Sequence, residues 1–226
     1  MVQLGSRRRM IRRKRFRMML EQQSENAPHL LPAEYRQLEY LEGGVESYIN
    51  TSLTYYKTTV YADVAFPYGN ACAVGVSVNG QKSTKHFQIM RSYNYNSSIQ
   101  AMNCNKDVWH RTNSLSERVQ ILYNSSDGKL YVNGVEVDPS NPMDGGAPSG
   151  IPVFLFAYND SGSPSLSSQL VRIYRITIWD KLSGALQRDF IPCYRKADGT
   201  SGMYDLVSGT LFVNAGTGTF ERGTEI

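Results

Sequence analysis

At 226 residues, 41 % hydrophobic and 19 % charged, the chain holds enough apolar material for a sizeable core and too little charge for a disordered protein. Three widely spaced cysteines, Cys72, Cys104 and Cys193, are odd in number and form no CxxC pair, which argues against a disulfide framework or a zinc site and for reduced, mostly buried thiols. The formal charge of +4 is local: eight basic residues and no acidic one fall between Arg7 and Arg17, leaving 16 basic against 20 acidic residues elsewhere.

Residues 1–31 form the first segment. Arg7, Arg8, Arg9, Arg12, Arg13, Lys14, Arg15 and Arg17 are interleaved with Met10, Ile11, Phe16 and Met18. Helix formers dominate, and Leu4, Ile11 and Met18 recur every seven residues. The apolar stripe is thin and the like charges repel, so the spacing predicts a marginal helix that is stable only against a partner. A solvated tail, docking onto an acidic protein surface, and sequence-independent binding of nucleic acid are the three uses of such an arm. The apolar residues favour a protein partner, because phosphate binding needs no such stripe. A secretion signal needs a longer apolar run than Met18-Met19-Leu20, and no stretch approaches a membrane span. The chain is therefore expected to be made in the cytosol, with Asn50, Asn96, Asn124 and Asn159 in turns rather than as glycosylated sequons. Residues 24–30 read as a linker stopped by Pro28.

From Leu31 onward, short alternating runs are separated by turn residues. Residues 58–66 place Val60, Ala62, Val64 and Phe66 on one face and Thr59, Tyr61 and Asp63 on the other. Asp127-Gly128 and Asn133-Gly134 each separate β-prone runs, predicting an antiparallel meander near 118–124, 129–132 and 135–138. Residues 151–158 and 170–179 are apolar enough for central strands buried on both sides. Many short strands and no helical period after residue 31 predict two packed antiparallel sheets.

Two blocks carry a resemblance: "LPAEYRQLEYLEGGVESYINT" (31–51) and "RIYRITIWDKLSGALQRDFIPCYRKADGTSGMYDLVSGTLFVNAGTGTF" (172–220). Together with the hairpin "GKLYVNGVEV" they resemble a family of laminin-G-like, concanavalin A-like jelly-roll proteins found in phages and prophages of gut bacteria. The resemblance implies an all-β, two-sheet antiparallel jelly-roll sandwich over residues 32–226. Its first and last strands would pair, and its context would be virion-associated. It supplies no catalytic residues.

Concanavalin A-like folds include glycosidases, and Glu136 and Asp138 have the two-residue spacing that puts carboxylates on one strand face. Pro139 ends that strand at once, so the pair reads as an exposed hairpin end. His29, His86 and His110 stand apart from each other and from any cysteine at ligand spacing. Asp160, in "NDSGS", is a weak calcium candidate with one carboxylate where calcium takes six to eight oxygens. No cofactor or metal is expected. Tyr93 and Tyr95 fall two apart, flanked by Asn94 and Asn96; stacking rings beside amides suit a sugar, and cross-strand packing is the plainer use. Trp109 joins them as a candidate platform or core lid. The expected function is a non-enzymatic decoration, fibre or tail component of a phage or prophage virion. It would be synthesised in the bacterial cytoplasm and anchored through its arm to other virion proteins. Host surface glycans and further copies of the chain are candidate partners, and membranes are not. A bacterial surface adhesin and a glycoside hydrolase are the rival readings.

Overall fold

The computed structural model describes residues 31–226 apart from 45, 55–57, 68, 79–85, 93–97, 104–105, 112–116, 125–127, 138–148, 167–169 and 181–182; the side chains of 103–109, 111 and 166 also lie outside the description. The basic arm, with its expected helix, falls outside the described residues. The opening block forms β1 (Tyr35–Gln37), β2 (Leu41–Gly43) and β3 (Ile49–Thr54). The alternating run is β4 (Thr58–Ala65), followed by β5 (Ala71–Ser77), β6 (His86–Ser92), β7 (Ser98–Asn103) and β8 (Lys106–Arg111). The meander is β9 (Val119–Asn124), β10 (Lys129–Val132) and β11 (Val135–Val137). Then come β12 (Pro152–Leu155), β13 (Ala157–Asp160), β14 (Ser163–Leu166), the long pair β15 (Val171–Asp180) and β16 (Leu186–Arg195), and finally β17 (Ser201–Asp205), β18 (Thr210–Val213) and β19 (Glu221–Arg222).

These strands make an all-β, sandwich-like arrangement of two sheets. The first runs β11-β10-β9-β4-β15-β16-β17-β18, with β1 on β16 and β2 joined to both β15 and β19. The second runs β14-β13-β5-β6-β7-β8, with β12 joined to β3 and β5. Alternate side chains of each strand meet between the sheets: Val60, Ala62, Val64, Ile121, Ile173, Ile176 and Phe190 from one, Val74, Val76, Phe87, Ile89 and Ile99 from the other. Full burial of each large side chain contributes on the order of 1.5–3 kcal/mol, so this layer dominates the stability.

The two ends of the body meet, although the first strand, β1, lies on β16 and the last, β19, on β2. β2 pairs antiparallel with β15 and with β19, so the opening block is held between strands of the closing segment. Backbone hydrogen bonds continue the seam from Gly223 N–H to the Tyr40 carbonyl, from Glu39 N–H to the Thr224 carbonyl and from Ala215 N–H to the Tyr48 carbonyl. The meander lies within a residue of its expected bounds. Asn133 (φ 48°) and Gly134 (φ 76°) take the left-handed conformations that a tight two-residue hairpin requires.

Four expectations need correction. Residues 151–158 form two strands: the chain reverses at Phe156, whose φ of 65° is left-handed, and Phe154 and Tyr158 both sit opposite Gly75. As a result β13 runs parallel to β5, inside an otherwise antiparallel pattern. The run 170–179 is not buried on both sides, since Arg172, Tyr174 and Arg175 are only half-buried on the outer face of β15; beside it Arg118 and Arg175 lie over Tyr61 and Asp63 of β4. The Glu136 side chain is only 6 % exposed and pairs with Lys129 at 2.7 Å, because both sit on one face of the β10–β11 hairpin; it is not a solvated hairpin end. Asp138 lies outside the described residues.

On the outer face of the first sheet, Ile191, Cys193 and Tyr204 collect Leu31, Tyr35, Leu206 and Leu211 into a small second core. The Tyr35 and Tyr204 rings are 4.9 Å apart, and Lys196 holds this stretch through Glu34 and Ala33 carbonyls. The start of the described chain is thereby fixed to that outer face.

Candidate functional site

The outer face of the second sheet is polar. A register irregularity between Cys72 and Val74 re-aims β5, so that Ala71, Ala73, Val74 and Val76 all join the core while Gly75 and Ser77 turn outward. Ser77 is then opposite His86 on β6 and opposite Asp160 on β13. Gly75 is opposite Gln88 and Tyr158, and Gln100 on β7 is opposite Met90 and Trp109. Strand period two puts Ser77, His86, Gln88 and Gln100 on one face, against the core-facing Phe87, Ile89 and Ile99.

Ser77, His86, Gln88 and Gln100 are nevertheless buried. Buried polar groups are informative because each must find a hydrogen bond inside the protein or from an entering ligand. The Ser77 hydroxyl finds none among the described residues. Burial pushes the His86 imidazole down to about 4, against smaller upward pulls from the Asp160 charge and the Gln88 side chain, so it is neutral at pH 7. The Cys72 thiol on the same face is driven up to about 12 by burial and is unreactive as a nucleophile. Gly75 leaves the face flat at its centre: a Cβ there would stand 2.7 Å from Tyr158 Cβ and 3.2 Å from Gln88 Cγ. The His86 and Tyr158 rings are 6.4 Å apart, so an imidazole, a phenol, amides and a hydroxyl share one surface. Neutral donors and acceptors beside an aromatic ring can recognise a hydroxyl-rich ligand.

The same row holds a serine, a histidine and an aspartate, but in the order Asp160, Ser77, His86. A nucleophilic triad needs the imidazole between hydroxyl and carboxylate, so that one ring nitrogen takes the proton while the other is held. The register puts the serine in the middle and does not match that requirement. Among the described residues, no group of three or more His, Cys, Asp or Glu is placed to hold a metal ion. Asp160 accepts from the neighbouring Ser161 hydroxyl at 3.4 Å, while Asn159 Oδ1 closes the turn by accepting from Gly162 N–H at 2.8 Å.

Of the residues singled out from sequence, Tyr93, Asn94 and Tyr95 fall between β6 and β7 and lie outside the described residues. The Trp109 backbone belongs to β8 on this sheet, opposite Gln100, and its side chain lies outside the description. Sequence reasoning missed Ser77, His86, Gln88, Gln100 and Tyr158 as a set. The alternation of His86 and Gln88 with Phe87 and Ile89 was visible, but only the register joins them to Ser77 and Tyr158.

The described residues form a sandwich-like arrangement of two sheets, with a row of buried polar side chains on the outer side of the second. No family model matches the chain, and no curated protein matches it.

Proposed function

We propose that the chain is a non-enzymatic, virion-associated structural protein of a phage or prophage, with a laminin-G-like, concanavalin A-like jelly-roll body that presents a glycan-binding face and a basic arm that anchors it to other virion proteins. The observation that carries this reading is the seam of β2 with β15 and β19. With β2 in the opening block and β15 in the closing one, it joins the two blocks on which the family resemblance rests. The inference from fold to context is one of analogy. The glycan reading draws on the polar face of the second sheet, with Tyr158 on one side and the Trp109 position on the other. The arm's charge and interleaved apolar residues support a protein partner, with Arg7–Arg9, Arg12–Arg15 and Arg17 meeting acids and Ile11, Phe16 and Met18 burying against it.

Two measurements test the reading. Particles purified from a producing bacterium should contain the chain in amounts comparable to other structural proteins, and its absence from them would overturn the virion assignment. The purified full chain on a glycan array should bind at least one glycan weakly, with binding lost in Trp109→Ala or Tyr95→Ala. Binding to none, or binding that ignores both substitutions, removes the glycan role.

A further inference from the structure

The β13–β14 hairpin extends the buried polar row to β14, the last strand of the second sheet. In register, Ser163 on β14 is opposite Asp160 on β13, Asp160 is opposite Ser77 on β5, and Ser77 is opposite His86 on β6. Burial deepens along that row: Ser163 is exposed, Asp160 is half-buried, and Ser77 and His86 are fully covered. The Asp160 charge reaches the His86 imidazole, and Tyr158 Cβ stands beside Gln88 on the open side of Gly75, so side chains of β13 and β6 share this face. Ser77 is the anomaly. Its hydroxyl, 0 % exposed, has no hydrogen-bond partner, although a hydroxyl can donate once and accept twice. Such a group weakens the fold that holds it, whereas a ligand that satisfies it gains affinity.

We propose that Asp160 and Ser77 form a subsite for two neighbouring hydroxyls of an uncharged sugar, one donating to the Asp160 carboxylate and the other pairing with the Ser77 hydroxyl. This rests on the glycan-binding role given to the face above, and it names the class of sugar and the residues that select it. Adjacent strands hold opposed side chains about 5 Å apart, close enough for the hydroxyls of one sugar ring to meet both. A hydroxyl reaches Ser77 when the half-buried side chains of Asp160 and Tyr158 swing outward. Asp160 accepts from the Ser161 hydroxyl at 3.4 Å, a long bond that leaves most of its roughly four lone-pair sites for another donor. Bonds to a carboxylate are the stronger, charge-assisted kind. The Ser77 hydroxyl is matched by a group that both gives and accepts, which a sugar hydroxyl does and an ammonium or a carboxylate does not. Charge selects against anions. The outward side chains of β5, β6, β13 and β14 that the structure describes include one charge, the Asp160 carboxylate, and His86 is neutral at pH 7. Arg91 alternates with them along β6 and donates to the Phe66 carbonyl. A uronate or a phosphate therefore meets no counter-charge among the described residues of this row.

Two substitutions in the full chain test the subsite, with neutral hexosides and the matching uronides arrayed side by side as probes. The parent should bind neutral members and reject their uronides. Ser77→Ala should weaken the best neutral binder ~10-fold, about the value of one hydrogen bond. The same substitution should raise the melting temperature by ~2–4 °C, because it removes a covered hydroxyl that has no partner in the free protein. Asp160→Asn keeps the shape and drops the charge, and should narrow the preference over the uronide ~10-fold. Preferential binding of uronides, or a Ser77→Ala protein that binds sugar as the parent does, would overturn the subsite. So would a lower melting temperature in Ser77→Ala, which would show that the hydroxyl is bonded within the fold. If Trp109→Ala or Tyr95→Ala abolishes binding and Ser77→Ala leaves it unchanged, the glycan role stands and this subsite falls. If no sugar is bound at all, both fall.

Discussion

Arg172 on β15 and Glu42 on β2 meet at 2.5 Å across 130 positions of sequence, at the seam where the two ends of the body join. The pair is partly buried and the guanidinium also covers Tyr40. Arg172→Met leaves the Glu42 carboxylate covered and unpaired, and should lower stability by about 1–3 kcal/mol. Combining it with Glu42→Gln should recover part of that loss. Urea midpoints with an unchanged slope would measure both. A loss below ~0.5 kcal/mol would mean that solvent screens the pair as it does at open surfaces.

Gly75 permits the parallel approach of β13 to β5. Its hydrogen occupies the space that a methyl group would share with Tyr158 Cβ at 2.7 Å and with the Phe87 carbonyl at 3.2 Å. Backbone on one side and a Cβ on the other cannot move aside cheaply. Gly75→Ala should cost about 1–3 kcal/mol, while the same substitution at Gly184, where a Cβ would meet nothing within 4 Å, should cost only its left-handed φ of 68°. Equal and small losses at both sites would show that β13 is not packed against β5 as described.

His86 should make the fold acid-sensitive. Its imidazole titrates near 4 in the folded protein, chiefly because it is buried, against 6.5 ordinarily. Above pH 6.5 it is neutral folded or unfolded, and the stability it permits is fully present. Between 6.5 and 4 the unfolded chain takes up a proton that the folded chain refuses, so stability falls as the pH falls, by about 3 kcal/mol in all. Stability measured from pH 7 to pH 4 should therefore fall less in His86→Gln than in the parent. Parallel pH profiles for the two would show that His86 does not titrate in this window.

Much of the architecture was legible because it follows from local chemistry. Asn133-Gly134 and Gly128 mark the turns of the meander, and β4 shows the apolar alternation of a core strand. The reversal at Phe156 was not legible. A large apolar residue gives no turn signal, and its left-handed backbone is held by burial and by its N–H bond to the Ala73 carbonyl. Register was the other missing quantity. Arg118 and Asp63, or Ser77 and Asp160, are distant in sequence and unremarkable singly, and only strand pairing makes them neighbours. For the same reason Glu136 read as a solvated hairpin end, although the hairpin puts Lys129 on top of it.

The most direct measurement compares the full chain with one lacking residues 1–25, for melting temperature and for incorporation into particles. Leu31 and Tyr35, with the seam of β2 and β19, remain in the shorter protein, so its melting temperature should stay within ~2 °C of the parent. Its incorporation should be abolished, because the anchor is gone. A truncated protein that assembles normally, or one whose sandwich no longer folds, would contradict an anchoring arm on an independently stable body.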